Sequence, residues 1–264
     1  MVRKLVGDLL RIHRARLGLT QKEASEVVLI SESLFGAYER AERIPTTRFL
    51  EDADKGLDAR GALIACIEMM EEELYPPTFL NWVRLERNAR VISAYETMLI
   101  PGLLQTEAYA RALYEARRPA YTEDEIERHV AARLERQSVL TRDPLPYIGY
   151  VIEESILERE IGGPGVLKEQ LLHLLEWNRK LKQHLTIQVM PTRRHTHAGL
   201  MGPLQLMSTD EGRNLVYAEA QGGDRLIHKV EQVTDLFEVF GILRAQALNP
   251  WESEELIERK AAQL

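Results

Sequence analysis

Apolar positions over the first 60 or so residues recur at helical spacing, and no alternating strand pattern interrupts them. Leu5, Leu9 and Ile12 mark a first helix. Thr20, with Glu23 three residues on, is the pattern of a capping box opening a second, and Leu19 with Ala24 could staple it. Ser31 is placed to cap a third helix, whose apolar face is Leu34, Phe35 and Tyr38. The chain breaks at Ile44-Pro45-Thr46. Phe49, Leu50, Ala53 and Leu57 then predict a fourth helix, and residues 62–74 a fifth that stops at Pro76-Pro77.

Beyond the two prolines the pattern mixes periods. Residues 79–91 read as a helix, and the string IPGLLQTEAYARALY, 100–114, as a Pro-Gly turn into another. Thr122 with Glu125 opens a long helix reaching residue 140. PYIGYVIE (146–153), LTIQVMP (185–191), GPLQLMS (202–208) and NLVYAEA (214–220) read as strands, the last two joined by a turn at Asp210-Glu211-Gly212. A helix follows the turn Gly162-Gly163-Pro164-Gly165. Val233, Leu236, Phe237, Phe240 and Leu243 predict another, and Asn249-Pro250 with Glu252 caps a last one. The expected fold is therefore an N-terminal all-α, five-helix domain over residues 1–75. An α+β domain with four or five strands follows over 78–264.

Composition narrows the function classes. The chain has 264 residues, 45% apolar and 28% charged, which describes a globular protein. No apolar run approaches the roughly 18 residues of a membrane span, and no secretory signal is visible, so a cytoplasmic location is expected. The single cysteine, Cys66, excludes an intrachain disulfide and sits in an apolar helical stretch, as a core residue would. The net charge is −7, yet residues 1–18 hold five Lys or Arg against Asp8, 5 − 1 = +4. Local positive charge of that kind permits nucleic-acid binding on an acidic chain.

The residues L-T-Q-K-E at 19–23, Ile30-Ser31, Phe35, Tyr38, Glu39-Arg40 and Arg43-x-Pro45 resemble the helix-turn-helix of the Xre-like bacterial repressor family, typified by phage repressors. The resemblance implies a phage-repressor-like DNA-binding domain. Thr20 and Gln21 would meet backbone phosphate at a helix N-terminus, with Arg40 near the same strand. The third helix, capped by Ser31, would turn Glu32, Ser33, Gly36 and Ala37 towards base edges, with Arg43 beyond it. None of these makes the bidentate Arg–guanine or Gln–adenine pair, so modest base readout is expected beside phosphate contacts and shape. Leu29 stands where the family usually has a glycine in the turn. A leucine in the left-handed region costs on the order of 1 kcal/mol, so either the turn is reshaped or the strain is tolerated.

From Trp82 onward the chain is similar to the domain of unknown function that follows an Xre-like domain in actinobacterial regulators, including the WhiJ-like ones. The residues carrying this are Trp82, Glu86, Ala94-Tyr95-Glu96, residues 101–106, Tyr109-Ala110, Arg133-x-x-Arg136-Gln137, Gln188-x-Met190-Pro191 and Val216-Tyr217-x-Glu219. This resemblance implies transcription regulation, and genes of this kind often neighbour one for a small partner protein.

Three roles compete for the second domain. It could dimerise, giving the two-fold symmetry that a palindromic duplex operator requires, and bind a partner. It could sense a small-molecule effector, with Trp82, Tyr95, Gln105 and Tyr109 lining a pocket or else packing helices together. Or it could catalyse, which is the weakest case. His195-Thr196-His197 and His228 read as polar loop before they read as a metal site, and Glu153-Glu154 as solvated carboxylates. Gly162 to Gly165 lacks the lysine of a phosphate loop. No cofactor, metal or catalytic residue is expected. Arg128, Arg133 and Arg136 read as exposed ion pairs with Glu127 and Glu135, or as a site for an acidic partner. An antitoxin-type protein that neutralises a small partner and binds DNA only for autoregulation remains the alternative to a regulator.

Overall fold

In the computed structural model the chain divides into two compact units, Met1–Leu80 and Asn81–Leu264. The structure describes residues 2–43, 45–74, 77–219 and 224–264, with residues 68, 71–74, 77–78 and 81 by backbone alone. The expected breaks at Ile44 and Pro76, and Ala220 at the end of NLVYAEA, lie outside the described residues.

The first unit is built from α1 (Val2–Arg16), α2 (Gln21–Val27), α3 (Glu32–Glu39), α4 (Thr47–Gly56) and α5 (Ala62–Leu74). Their apolar stripes meet in one core around Val6, Leu10, Phe35, Leu50, Leu57 and Leu63, which also buries Cys66. Thr20, Ser31 and Thr46 cap α2, α3 and α4 through their hydroxyls, and Thr20 with Glu23 forms the full capping box.

The first four helices all end in a left-handed residue, at Gly18 (φ 70°), Leu29 (57°), Ala41 (58°) and Asp58 (48°). In each the next amide closes back five residues: Leu19 to Arg14, Ile30 to Ser25, Glu42 to Ala37 and Ala59 to Asp54. These are Schellman caps, and only the first uses the glycine such a cap favours. The turn at Leu29 is therefore not reshaped. Its strain is tolerated, on a side chain that is 91% exposed.

The second unit begins within α6 (Pro77–Glu86). Six strands form one sheet: β1 (Ala89–Glu96), β2 (Tyr147–Glu153), β3 (Leu185–Met190), β4 (Leu204–Thr209), β5 (Asn214–Ala218) and β6 (Arg225–Ile227). The order is β3-β2-β1-β4-β5-β6, parallel across β1, β2 and β3 and antiparallel from β1 through β4 and β5 to β6. Parallel neighbours need crossovers. These are α7 (Glu107–Glu115) with α8 (Glu123–Arg136), and then α9 (Pro164–Lys180). On one face of the sheet Tyr95, Val151, Met190, Leu206 and Val216 pack under Val233, Phe240 and Leu243 of α10 (Val230–Gln246). α11 (Pro250–Gln263) closes the domain, capped by Asn249 and Glu252 as expected.

Two expectations are corrected. The helix expected over 79–91 stops at Glu86, and β1, which pairs with β2 and β4, begins at Ala89. Only Arg87 and Asn88 separate the two, so no Gly or Pro marks the change, and burial of Ile92, Ala94 and Tyr95 on both faces hides the alternation. The sheet also gains β6, three residues long, bringing the strands to six.

Candidate nucleic-acid interface

Ser31, Glu32 and Ser33 lie exposed at the start of α3, Ser31 accepting the Leu34 amide at 3.3 Å and sitting 3.2 Å from the Ser33 hydroxyl. Behind them Phe35 is fully buried, and Tyr38 stacks at a tilt on Phe49 with centroids 4.6 Å apart. The third helix is thus held by its aromatic face with its N-terminal end open. Ala37 is half-buried. Gly36, expected to face base edges, is instead buried against α2. A Cβ there would lie 2.9 Å from Arg40 Nη1 and 3.2 Å from Gln21 Oε1. Its lack of a side chain lets those two groups close over the helix.

Gln21 and Arg40 are brought together, as the expected phosphate contacts should be, but each already holds a carboxylate. Gln21 Nε2 donates to Glu39 Oε2 at 2.6 Å, and the same buried carboxylate accepts from Arg14 Nε at 2.6 Å and Nη2 at 3.2 Å. Arg14 also donates to the Leu19 carbonyl at 2.8 Å, tying α1 to the start of α2. Arg40 meets Glu42 with Nε and Nη2, each at 2.8 Å. The bond lowers the Glu42 carboxyl and raises the Arg40 guanidinium from their ordinary values. Thr20 is exposed beside its capping Glu23, and Arg43 is exposed beyond the Ala41 cap.

An open cleft of about 620 Å³ lies along this surface, and Arg3, Lys4, Arg11, Arg14 and Arg40 bring five cations to it. The carboxylates in its lining are Asp8, on Arg11 at 2.5 Å, and Glu39. The positive charge of the first helix is visible in the sequence, but its place beside the reading helix is not. Gly7 was the available signal: a Cβ there would sit 2.6 Å from the Glu39 carbonyl oxygen, so α1 can cross the end of α3 this closely only at a glycine.

In the second unit Trp82, Tyr95, Gln105 and Tyr109 are all at most 1% exposed. Trp82 packs on Tyr217 with centroids 5.6 Å apart. Tyr95 donates to Glu153, and the backbone of Gly199 lies against its ring with no room for a side chain. Gln105 Nε2 donates to the Ile100 carbonyl at 2.7 Å, and the Tyr109 hydroxyl accepts the Ile100 amide at 3.4 Å. These four are interior groups, and none lines the cationic cleft or a further open cleft near Arg142 and Tyr147. The string from Ile100 to Thr106 is a buried loop served by amides. Gln170 takes the Thr106 amide and gives to the Leu104 carbonyl, both at 2.7 Å, and Gln137 gives to the Gln105 carbonyl at 2.6 Å. A buried loop needs partners for its backbone groups, and glutamines provide them.

Arg133 and Arg136 of α8 differ from expectation. Arg136 forms a buried two-point pair with Glu86, both contacts at 2.9 Å, and Arg133 donates to the Tyr114 hydroxyl at 2.9 Å. Burial and the Glu219 carboxylate push the nearby Glu96 carboxyl up to about 8, against the pull of Arg133 and Arg136. His195 and His197 lie in the loop after β3. His197 approaches Glu153 at 3.7 Å. Among the described residues no three His, Cys, Asp or Glu side chains are gathered to hold a metal, and no helix is long and apolar enough to cross a membrane.

A capped, outward-facing α3 held on α2, with cations beside it, defines a helix-turn-helix protein of the DNA-binding regulator class. Residues 5–65 match the family described as Helix-turn-helix domain. Residues 79–259, more than half of the chain, match the family described as Domain of unknown function (DUF5753), and the chain belongs to that family. Searches of curated proteins and of solved structures gave no match.

Proposed function

We propose that this protein is a sequence-specific transcription regulator of the Xre-like type, related to the WhiJ-like actinobacterial regulators. It acts in the cytoplasm as a homodimer on a palindromic operator. The observation that carries this reading is the exposed start of α3, at Ser31, Glu32 and Ser33, on a helix whose other end, at Glu39 and Arg40, lines a cleft carrying five cations. One such helix reads about half of an operator, and a two-fold dimer places two helices in successive major grooves. The second domain dimerises and receives a signal from a small partner protein or ligand, without catalysis.

An electrophoretic shift on the protein's own promoter region tests the reading. Binding is expected for the wild type and lost in a Gln21→Ala, Arg40→Ala double variant that keeps its fold. Undiminished binding by that variant overturns the roles of both residues. The antitoxin-type alternative separates at the neighbouring gene: a toxic product that co-purifies with this protein and is neutralised by it favours that reading.

A further inference from the structure

The cleft between α1 and the end of α3 is larger than two framework residues require. α1 presents two adjacent rows at helical spacing. Arg3, Gly7, Leu10 and Arg14 run down the row that meets the rest of the domain, with Gly7 at the crossing over Glu39. Lys4, Asp8 and Arg11 run beside it, and all three line the cleft together with Arg40. Arg14 is committed to the buried Glu39 and to a backbone carbonyl. Lys4 and Arg11 are exposed, and the Arg11–Asp8 contact joins side chains 57% and 44% exposed. An exposed pair of that kind contributes little and yields to a stronger anion.

We propose that Lys4 and Arg11 of α1, with Arg40, seat one backbone phosphate of the DNA duplex in this cleft. The inference rests on the DNA-binding reading above and extends the protein–DNA contact to a helix outside the helix-turn-helix. Charge complementarity selects the occupant. Three side-chain cations line one cleft beside the end of the reading helix, and a duplex held on that helix carries a phosphate every few ångströms along each strand. The contact positions the protein and carries no sequence information, so it adds affinity equally on every duplex.

The test uses the full-length protein and fluorescence anisotropy over a salt series, on an operator duplex and on a scrambled duplex of the same length. For the Lys4→Gln, Arg11→Gln variant the slope of log K against log salt is expected to shallow by about 0.9, the release that goes with one phosphate contact. The wild type's extra loss between 50 and 200 mM salt then shrinks by a factor of about 3.5, equally on both duplexes. Asp8→Asn, which removes the competing carboxylate, is expected to strengthen binding on both. Unchanged thermal unfolding of each variant excludes a folding defect as the cause. A wild-type slope retained by the double variant overturns the proposal while leaving the helix-turn-helix reading intact, and so does a loss confined to the operator. A wild type with no salt-dependent binding to either duplex overturns both.

Discussion

The guanidinium of Arg40 lies flat on the carboxylate of Glu42, with Nε and Nη2 each 2.8 Å from one oxygen. The Schellman cap makes the pair: Arg40 is the cap residue of α3, and the left-handed Ala41 turns Glu42 back beside it. Under the proposed DNA-binding reading, a phosphate approaching Arg40 meets the Glu42 carboxylate on the same guanidinium, so the carboxylate competes with DNA.

Glu42→Gln should therefore tighten DNA binding several-fold at low salt, with the gain shrinking as salt screens the competition. A second exposed carboxylate of the same unit supplies the control, since Glu51→Gln changes the net charge equally. Equal gains for the two variants would show that only overall charge matters.

Leu29 in its left-handed cap carries strain and buries almost nothing. Leu29→Gly is expected to stabilise the first unit by up to about 1 kcal/mol, read as a raised midpoint in urea unfolding. Leu29→Ala keeps the Cβ and should move the midpoint little. A glycine variant no more stable than the alanine one contradicts the assignment of strain.

Gln170 stands in for backbone at the C-terminal end of the buried loop, donating to the Leu104 carbonyl and accepting from the Thr106 amide. Replacing it by leucine leaves an amide and a carbonyl without partners, at about 1–3 kcal/mol each. Gln170→Leu should lower the unfolding free energy of the second domain by at least about 2 kcal/mol, whereas a change under half of that would show the loop to be satisfied by water.

Glu96 gives the second domain a pH dependence. Its carboxyl rises from an ordinary 4.5 to about 8 in the fold, so the folded state holds a proton that the unfolded chain has released. The stability from that proton is complete below pH 4.5 and is lost as pH rises to about 8. Glu96→Gln should flatten the decline in melting temperature between pH 5 and pH 8.5. A decline as steep as the wild type's would assign the titration elsewhere.

Local signals written in a few neighbouring residues are legible in the sequence alone. The caps at Thr20, Ser31, Thr122 and Asn249, the five N-terminal helices, four of the six strands and the placing of Phe35 and Tyr38 in the core all follow from short-range period and capping chemistry. The left-handed turn at Leu29 is legible as an alternative but not as an outcome, because the sequence shows the strain and not whether the surrounding core sustains it. β1 escapes because a strand buried on both faces loses its alternation, and here only Arg87 and Asn88, with no Gly or Pro, separate it from the helix before.

What the sequence by itself determined is the class of each domain and the framework of the reading helix, since both rest on residues within one or two helical turns of each other. Only the tertiary structure decided which charges meet. Glu39 reaches Arg14 across 25 residues, Glu86 reaches Arg136 across 50, and Gly36 turns inward under Gln21 and Arg40. The cleft shared by α1 and α3 exists because Gly7 admits a close crossing. Such pairings depend on the distance between elements, which packing sets and local pattern does not record.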